Sequence, residues 1–207
     1  VRMLFLDGRD DMAAYAESQP LEARPGSTFD YSTPTAVILA DAASRALTDS
    51  RDPVTRRRLM GEYLHTRLIE PLGMTSAVPE FDAAGTFIGG SMLHATARDW
   101  GRFGEFLRTA GSVRGVQVVP RDWIGFMTTP SPANPGYGAQ LWLNRRGSLG
   151  VDGTPRDELF PARAPHSLFA CIGHLGQYVL VSPEQGLTVV RLGKARDADR
   201  ANLRDRL

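Results

Sequence analysis

The sequence predicts an α+β fold in which helices pack on an antiparallel sheet. Apolar residues recur at helical spacing through the first part of the chain, up to about Met127. Short apolar runs joined by short connectors fill the last third. Helices followed by strands favour this class, because a parallel sheet needs strands that alternate with helices.

Two helices are predicted in the first quarter of the chain. The first covers Asp10 to Glu17 and ends before Pro20. The second begins at Thr33, a good N-cap residue, and has Pro34 in its first helical position. The apolar residues of this second helix predict a buried stripe made of Val37, Ile38, Ala42 and Ala46.

Two longer helices follow. One runs from about Pro53, with Asp52 as its cap, and is expected to stop before Pro71. The other begins with the capping-box pattern Thr96-Ala97-Arg98-Asp99 and is closed by Gly111.

An antiparallel meander is predicted between a short helix, Asp122 to Met127, and a segment that could begin a last helix, Arg200 to Leu207. Its strands are Gln140 to Leu143, Leu168 to Ile172, Tyr178 to Val181 and Leu187 to Leu192. The connectors Gly173 to Gln177 and Pro183 to Gly186 are short enough for hairpins, which predicts antiparallel pairing.

The composition indicates a folded globular chain without a polyanionic partner. Hydrophobic residues make up 42% and charged residues 23% of the 207 residues, and the formal net charge is +1. The run Arg56-Arg57-Arg58 is interpreted as a solvated helix face, because no nucleic-acid motif accompanies it. No apolar stretch approaches the roughly 20 residues of a membrane span. We therefore expect neither a nucleic-acid partner nor a membrane span.

Cys171 is the only cysteine, so no intrachain disulfide can form. It lies in the apolar run Ser167 to Ile172 and is interpreted as a buried structural thiol, because burial opposes ionisation to a thiolate. The histidines, the cysteine and the carboxylates lack the spacing of a metal site, and we expect no metal and no cofactor.

Tyr31 is the first candidate for chemistry. It stands just before a predicted helix start, near the positive end of the helix dipole. That field favours the phenolate, so such a tyrosine takes and returns a proton more easily than one in water. The alternative is a core tyrosine whose hydroxyl is bonded to the backbone.

The second candidate is the segment Gly173-His174-Leu175-Gly176-Gln177. Glycines between two strands let a substrate backbone approach closely, and an extended substrate could pair along the strand edge. A backbone N–H could polarise its carbonyl, and His174 would add a donor whose charge changes near neutral pH. The alternative is an ordinary hairpin turn with a surface histidine.

Five segments are informative as an ordered set: Pro25 to Thr33, Glu70 to Met74, Gly89-Gly90-Ser91 leading to Ala97-Arg98-Asp99, Tyr137-Gly138 with Trp142, and Gly173 to Gln177. Together they resemble the β-lactamase-related serine hydrolases. That family includes class C-like β-lactamases, D-alanyl-D-alanine carboxypeptidases, esterases and 6-aminohexanoate-dimer hydrolases. The resemblance runs from about Asp11 to Gly193. It implies that residues 1–207 are part of one β-lactamase/transpeptidase-like domain.

The resemblance implies roles for five residues. Tyr31 would be the proton-transfer tyrosine, and Thr33 stands where the family usually has Asn. His174 stands at the family's Lys or His position. Gly176 and Gln177 would line the substrate and oxyanion site, with the N–H of Gln177 as one half of the oxyanion hole. Tyr31 and His174 are expected to face one cleft, and the substrate would be an ester, a linear amide or a β-lactam, the first two being favoured by Thr33 and His174.

The family's nucleophile motif, Ser-x-x-Lys, does not occur in these residues. The only lysine is Lys194, and Arg191 stands three positions before it. The family places the motif well upstream of the tyrosine, and only 30 residues precede Tyr31. We therefore expect the segment with the nucleophile to be missing upstream of Val1, and the chain as given not to turn over substrate.

Two other functions remain open. A non-catalytic binding or sensor relative of the penicillin-binding proteins would keep the pocket without turnover. An unrelated Ser-His-Asp hydrolase within these residues is the second, because the members of a triad are neighbours in space and not in sequence. The sequence upstream of Val1 separates an enzyme from a binding protein, since Ser-x-x-Lys there indicates an enzyme.

Overall fold

The structure, a computed structural model, describes residues 2–160 and 163–196. Its helices are α1 (Arg2–Phe5), α2 (Met12–Glu17), α3 (Thr33–Leu47), α4 (Pro53–Leu64), α5 (Glu70–Leu72), α6 (Ala97–Arg108) and α7 (Arg121–Met127), and a π-helical turn, His65–Ile69, joins α4 to α5. Its strands are β1 (Val78–Pro79), β2 (Leu93–His94), β3 (Ser112–Val113), β4 (Val116–Gln117), β5 (Trp142–Leu143), β6 (Ser148–Leu149), β7 (Pro155–Arg156), β8 (Phe169–Gly173), β9 (Gln177–Ser182) and β10 (Leu187–Arg191). The predicted α+β class is confirmed. The helix predicted from Arg200 to Leu207 lies outside the described residues.

The described residues form two compact units. Unit 1 comprises those within 1–24, 31–71 and 75–95, and unit 2 comprises those within 25–30, 72–74 and 96–207. The assignment of residues 1–207 to a single domain stays a prediction. Among the described helices, none has the length and apolarity that crossing a membrane requires.

The core of unit 1 forms where α1, α2 and α3 pack around Ile88. Met3, Met12 and Val37 are buried there together with Ile88. The side chain of Asp11 caps α2 by accepting a hydrogen bond from the backbone N–H of Ala14 at 3.0 Å. The sequence predicted α2, whereas no pattern indicated the short α1.

Two details predicted for α3 are wrong. The N-cap is Ser32, whose backbone is extended (φ −134°, ψ 123°), and Thr33 is the first helical residue. Ala42 and Ala46 are exposed. The buried face comprises Val37, Ala40, Asp41 and Ser44. The predicted stripe missed this face because it was chosen by apolarity alone. Asp41 is polar, but a carboxylate can be buried when a cation pairs with it.

The arginine run on α4 is only partly the solvated face that the sequence predicted, because Arg57 and Arg58 are exposed whereas Arg56 is not. The side chain of Arg56 is only 11% exposed and forms an ion pair with the buried carboxylate of Asp41. It also donates to Oγ1 of Thr86 at 3.2 Å. Arg58 does lie on the surface, where it pairs with Glu62 (Nη1 to Oε1 2.9 Å). Arg56 therefore ties α4 to α3 within unit 1.

The helical backbone passes the predicted stop before Pro71 and ends at Leu72. Its start is as predicted, because Asp52 accepts from the backbone N–H of Thr55 at 2.9 Å. Just before Pro71 the helix widens into a π turn, in which the N–H of Glu70 bonds to the carbonyl of His65. Proline has no N–H and its ring crowds the preceding turn, so a wider turn accommodates it.

The main sheet of unit 2 has the strand order β10-β9-β8-β5, with every pair antiparallel. Gly173 lies opposite Gln177 in the β8–β9 hairpin, and Leu187 lies opposite Ser182 in the β9–β10 hairpin. This confirms the predicted meander. β5 is shorter than predicted, because only Trp142 and Leu143 pair with β8.

Helix α6 covers one face of this sheet, and Gly104 sets how closely it approaches. A β-carbon on Gly104 would lie 2.4 Å from Cγ2 of Thr188 and 2.9 Å from Cγ1 of Val179. Tyr178 and Leu180 alternate with Val179 along β9 and pack in a second cluster on the opposite face. Both faces of the sheet are therefore covered, which explains why β9 is buried from Tyr178 to Ser182.

Candidate active site

Tyr31 and Thr33 lie at the start of α3 in unit 1. Tyr31 precedes the N-cap Ser32 and is 38% exposed. Thr33 is half-buried in the first turn, and Pro34 follows it there. This placement next to the N-terminus of a 15-residue helix puts Tyr31 near the positive end of the helix dipole.

A tight turn with two glycines lies against this helix start. The backbone N–H of Ser91 bonds to the carbonyl of Ile88 at 3.0 Å and closes the turn around Gly89 and Gly90. A β-carbon on Gly90 would lie 2.7 Å from Cγ2 and 2.9 Å from the carbonyl oxygen of Thr33. The sequence reasoning gave these glycines no role at the site. The Gly-Gly pair was the signal, because adjacent glycines often mark a close backbone approach.

The second group of candidates lies on the β8–β9 hairpin of unit 2. His174, Leu175 and Gly176 form the loop between Gly173 and Gln177, which pair across the hairpin. Leu175 and Gly176 both have positive φ angles, 59° and 86°. His174 and Gln177 are exposed, and Nε2 of Gln177 donates to the carbonyl of His174 at 3.3 Å.

Arg191 holds this loop in place. Its Nη1 donates to the carbonyl of Gly176 and, at 3.1 Å, to that of Gly193. The backbone N–H of Ala195 donates to the carbonyl of Leu175 at 2.8 Å. Both loop carbonyls therefore have donors, which fixes the direction of the peptide groups between His174 and Gln177. No sequence signal indicated Arg191, because a hydrogen bond to a carbonyl leaves no mark on residue spacing.

One edge of β8 is open beside the loop. β5 pairs only with Phe169 and Ala170, so Cys171, Ile172 and Gly173 have no strand partner on that side within the described residues. Unpaired backbone N–H and C=O groups on a strand edge can bind an extended chain.

Three aromatic rings from separate sequence motifs meet beside β5. Phe29 lies 5.3 Å from Tyr137 and 6.3 Å from Trp142, measured between ring centroids, and Tyr137 lies 4.9 Å from Trp142. Aromatic pairs at these tilted and edge-to-face distances are favourable. The contact explains why the segment before Tyr31 and the segment around Trp142 both carry a large ring.

Cys171 lies on β8, in surroundings that disfavour a nucleophilic thiolate. Burial raises the pKa of its thiol to about 12, so the thiolate is scarce at neutral pH. This supports its interpretation as a structural thiol. In the described parts of the chain, no cluster of three or more His, Cys, Asp or Glu side chains could hold a metal ion.

The structure brings some of the candidates together. His174, Gly176 and Gln177 share one hairpin of unit 2, and Thr33 lies against Gly90 in unit 1. Tyr31 belongs to unit 1 and His174 to unit 2. The expectation that Tyr31 and His174 face one cleft stays a prediction.

The chain is similar in sequence to one protein family and in fold to several solved structures. The Beta-lactamase family model matches residues 4–207. A protein assigned as a 6-aminohexanoate-dimer hydrolase from Bacillus anthracis shares the fold with a TM-score of 0.67 and 21% identity, over 91% of this chain and 45% of that one. A β-lactamase from Mycobacterium bovis gives a TM-score of 0.62 and 21% identity, over 89% and 65% of the two chains. A protein assigned as a β-lactamase from Bacteroides dorei gives 0.61 and 18%, over 93% and 59%.

The chain spans between 45% and 65% of the length of these three structures. No curated protein sequence is significantly similar to it.

Proposed function

Because the chain belongs to the Beta-lactamase family, we propose that the whole protein is a serine hydrolase that acts through an acyl-enzyme. A serine oxygen attacks the substrate carbonyl, and the alcohol or amine leaves with a proton. Water then attacks the acyl group, releases the acid and regenerates the serine. The substrate is an ester or a linear amide, and a β-lactam is the less favoured third class.

The open edge of β8 beside the Arg191-held loop is the observation that carries this proposal. An extended acyl group that pairs with Cys171 to Gly173 would place its carbonyl next to the loop. The backbone N–H of Gln177 then serves as one donor to the developing oxyanion, and the N–H of the nucleophile serves as the other. A donor on a rigid hairpin needs little reorganisation during the reaction, which is the physical basis of such catalysis.

Tyr31 supplies the proton transfer in this proposal. Its position before the N-terminus of α3 favours the phenolate, which can accept the serine proton and return it to the leaving group. Thr33 and His174 set the substrate class. Thr33 has a hydroxyl where the family usually has an amide, and His174 has an imidazole at the family's Lys or His position. Both changes favour esters and linear amides over β-lactams.

The nucleophile is not among these residues in this proposal. The 207 residues contain no Ser-x-x-Lys, and their single lysine is Lys194. A lysine close to the serine is what activates the nucleophile in this family, so we place the reactive serine of the whole protein outside them.

A fluorophosphonate probe tests the proposal on the whole protein. We expect one adduct per molecule, on a serine outside the 207 residues, and faster hydrolysis of p-nitrophenyl acetate than of nitrocefin. Lack of any adduct, together with tight substrate binding, would instead indicate a non-catalytic binding protein. An adduct on a serine of these 207 residues would indicate an unrelated Ser-His-Asp hydrolase.

A further inference from the structure

An open groove of about 500 Å³ runs along α6 in unit 2. It extends from Arg98 to Thr109 on the helix, and the β3–β4 hairpin bounds it at Arg114. Its volume falls within the range of about 300 to 1,000 Å³ that is typical of small-ligand sites. None of the residues to which we assign catalytic or substrate-binding roles lines it.

The lining carries an excess of positive charge. Three guanidinium groups, those of Arg98, Arg102 and Arg114, face a single carboxylate, that of Glu105. The negative charge of Glu105 already has its own partners. Nη2 of Arg108 lies 2.8 Å from Oε2 of Glu105, and Thr188 donates to Oε1 at 2.6 Å. These bonds, that with Arg108 above all, lower the pKa of Glu105 and keep it ionised.

Among the residues that the structure describes, two of the three groove cations have no partner of their own. Arg102 forms an ion pair with the buried carboxylate of Asp99. The guanidiniums of Arg98 and Arg114 form no ion pair or side-chain hydrogen bond with any residue that the structure describes, and both residues are exposed. Within the described part of the chain, two positive charges at the rim of the groove therefore lack a compensating carboxylate.

The hairpin turn places Arg114 at the end of the groove. Arg114 and Gly115 form the two-residue turn between β3 and β4 and have φ angles of 50° and 83°. Positive φ at both positions is what a tight hairpin turn of matching twist requires. The backbone at Arg114 is therefore fixed, and only its side chain adapts to a ligand.

The floor of the groove between these charges is apolar. Leu72 and Phe106 line it and are each 4% exposed, and the half-buried Val113 adds a further apolar surface. A ring or a branched aliphatic group would cover this floor, while negatively charged groups reach the guanidiniums at the rim. Planar guanidiniums bind carboxylate and phosphate oxygens with two parallel hydrogen bonds.

We propose that this groove binds a small amphiphilic dianion, an organic compound with an apolar body and a phosphate monoester or two carboxylates. The site is separate from the proposed hydrolase site, and its existence does not rest on that function. Arg98 and Arg114 bind the anionic groups, Arg102 assists from its pair with Asp99, and Leu72, Phe106 and Val113 contact the apolar body.

Titration calorimetry of the whole protein at low ionic strength tests this proposal. Phenyl phosphate is the probe, and inorganic phosphate and phenol supply its charge and its ring separately. We expect phenyl phosphate to bind at least about tenfold more tightly than either, because each lacks one of the two kinds of contact. Binding should weaken as salt is added, because exposed charges are screened.

Two charge-removing variants locate the site. Arg98→Gln and Arg114→Asn should each weaken phenyl phosphate binding about tenfold or more. Asn is chosen at Arg114 because it tolerates positive φ. Arg121→Gln is the matched control, since it removes an exposed positive charge of unit 2 that does not line the groove. The affinity of this variant for phenyl phosphate should stay within about twofold of that of the unchanged protein.

Several results would overturn the proposal. These are no binding of phenyl phosphate, equal affinity for inorganic phosphate, unchanged affinity in both groove variants, or an equal loss in Arg121→Gln. Weaker phenyl phosphate binding in Tyr31→Phe would also overturn the proposal, because the ligand would then bind at the proposed hydrolase site.

Discussion

A β-carbon added to Gly90 would lie 2.7 Å from Cγ2 of Thr33, which is closer than β-carbons in proteins approach other heavy atoms. Gly90 is therefore at a position where any side chain must displace the start of α3 or the turn that contacts it. The carbonyl oxygen of Thr33, at 2.9 Å, belongs to the helix backbone and cannot rotate away. Thr33, a candidate substrate-contacting residue of unit 1, is thus packed against a turn position that only glycine occupies without displacing its neighbours.

Gly90→Ala should destabilise the fold by about 1 to 3 kcal/mol, the usual effect of overpacking. Chemical denaturation measures it. Gly125→Ala is the control, because nothing lies within 4 Å of a β-carbon there and Gly125 is inside α7. The control should be neutral or stabilised by up to about 1 kcal/mol, as for alanine in an exposed helix. Thr33→Ser in the Gly90→Ala background removes Cγ2 and should recover part of the loss.

Tyr31→Phe removes only the phenolic oxygen of a residue that is already partly exposed. In the whole protein we expect kcat/KM to fall by about 10²-fold or more, the contribution typical of a general acid–base group. Stability should change little. Stopped-flow acylation with a p-nitrophenyl ester measures the effect, and Tyr63→Phe, on the exposed part of α4, is the control. If kcat/KM changes by no more than about twofold, far short of the ~10²-fold typical of a general acid–base group, Tyr31 has only a structural role.

Arg191→Ala should loosen the loop that carries His174 and Gly176. The variant loses the donor to two carbonyls, and we expect kcat/KM of the whole protein to fall about tenfold, most of it in kcat. A positioning role leaves the pH dependence of kcat/KM unchanged in shape, because Arg191 only holds the loop and exchanges no proton with the substrate. Arg156→Ala, at an exposed ion pair in unit 2, is the control. Equal activity of both variants would contradict this role.

The features that the sequence predicted are local ones. Asp52 and Thr96 were predicted as caps because each side chain bonds to a backbone N–H within three residues, so spacing alone reveals them. The β8–β9–β10 meander was predicted because strand pattern and connector length act within a few residues of each other.

The features that the sequence missed depend on residues distant along the chain. Asp41 pairs with Arg56 at a separation of 15 residues, and Arg191 reaches Gly176 at the same separation. Neither a helical period nor a turn signal encodes such a pair. The N-cap of α3 was misplaced by one residue because Ser32 and Thr33 are both good caps and neither makes a side-chain cap bond.

Cys171 should resist alkylation in the folded protein. Its thiol pKa of about 12 leaves very little thiolate at pH 8. Iodoacetamide should label it at least about 10³-fold more slowly than in urea, where the pKa returns to about 8.5. Mass spectrometry after timed quenching gives both rates. Labelling at the unfolded rate in the native state would show that the thiol is accessible.

Arg56→Met should be among the most destabilising single changes in unit 1. It leaves the carboxylate of Asp41 buried without its main partner, and breaking a buried ion pair costs about 3 to 5 kcal/mol. Arg45 also contacts Asp41, with Nε 2.5 Å from Oδ2, so the lower end of that range is expected. Urea denaturation near pH 7 measures the loss.

Two further variants separate the charge from the packing. Arg58→Gln breaks an exposed ion pair on the same helix and should cost no more than about 1 kcal/mol. Asp41→Leu combined with Arg56→Met removes both buried charges and keeps the volume filled, so it should recover most of the stability lost in Arg56→Met alone. If the double variant is instead as unstable as the single one, the pair acts through its geometry and not through the buried charge of Asp41.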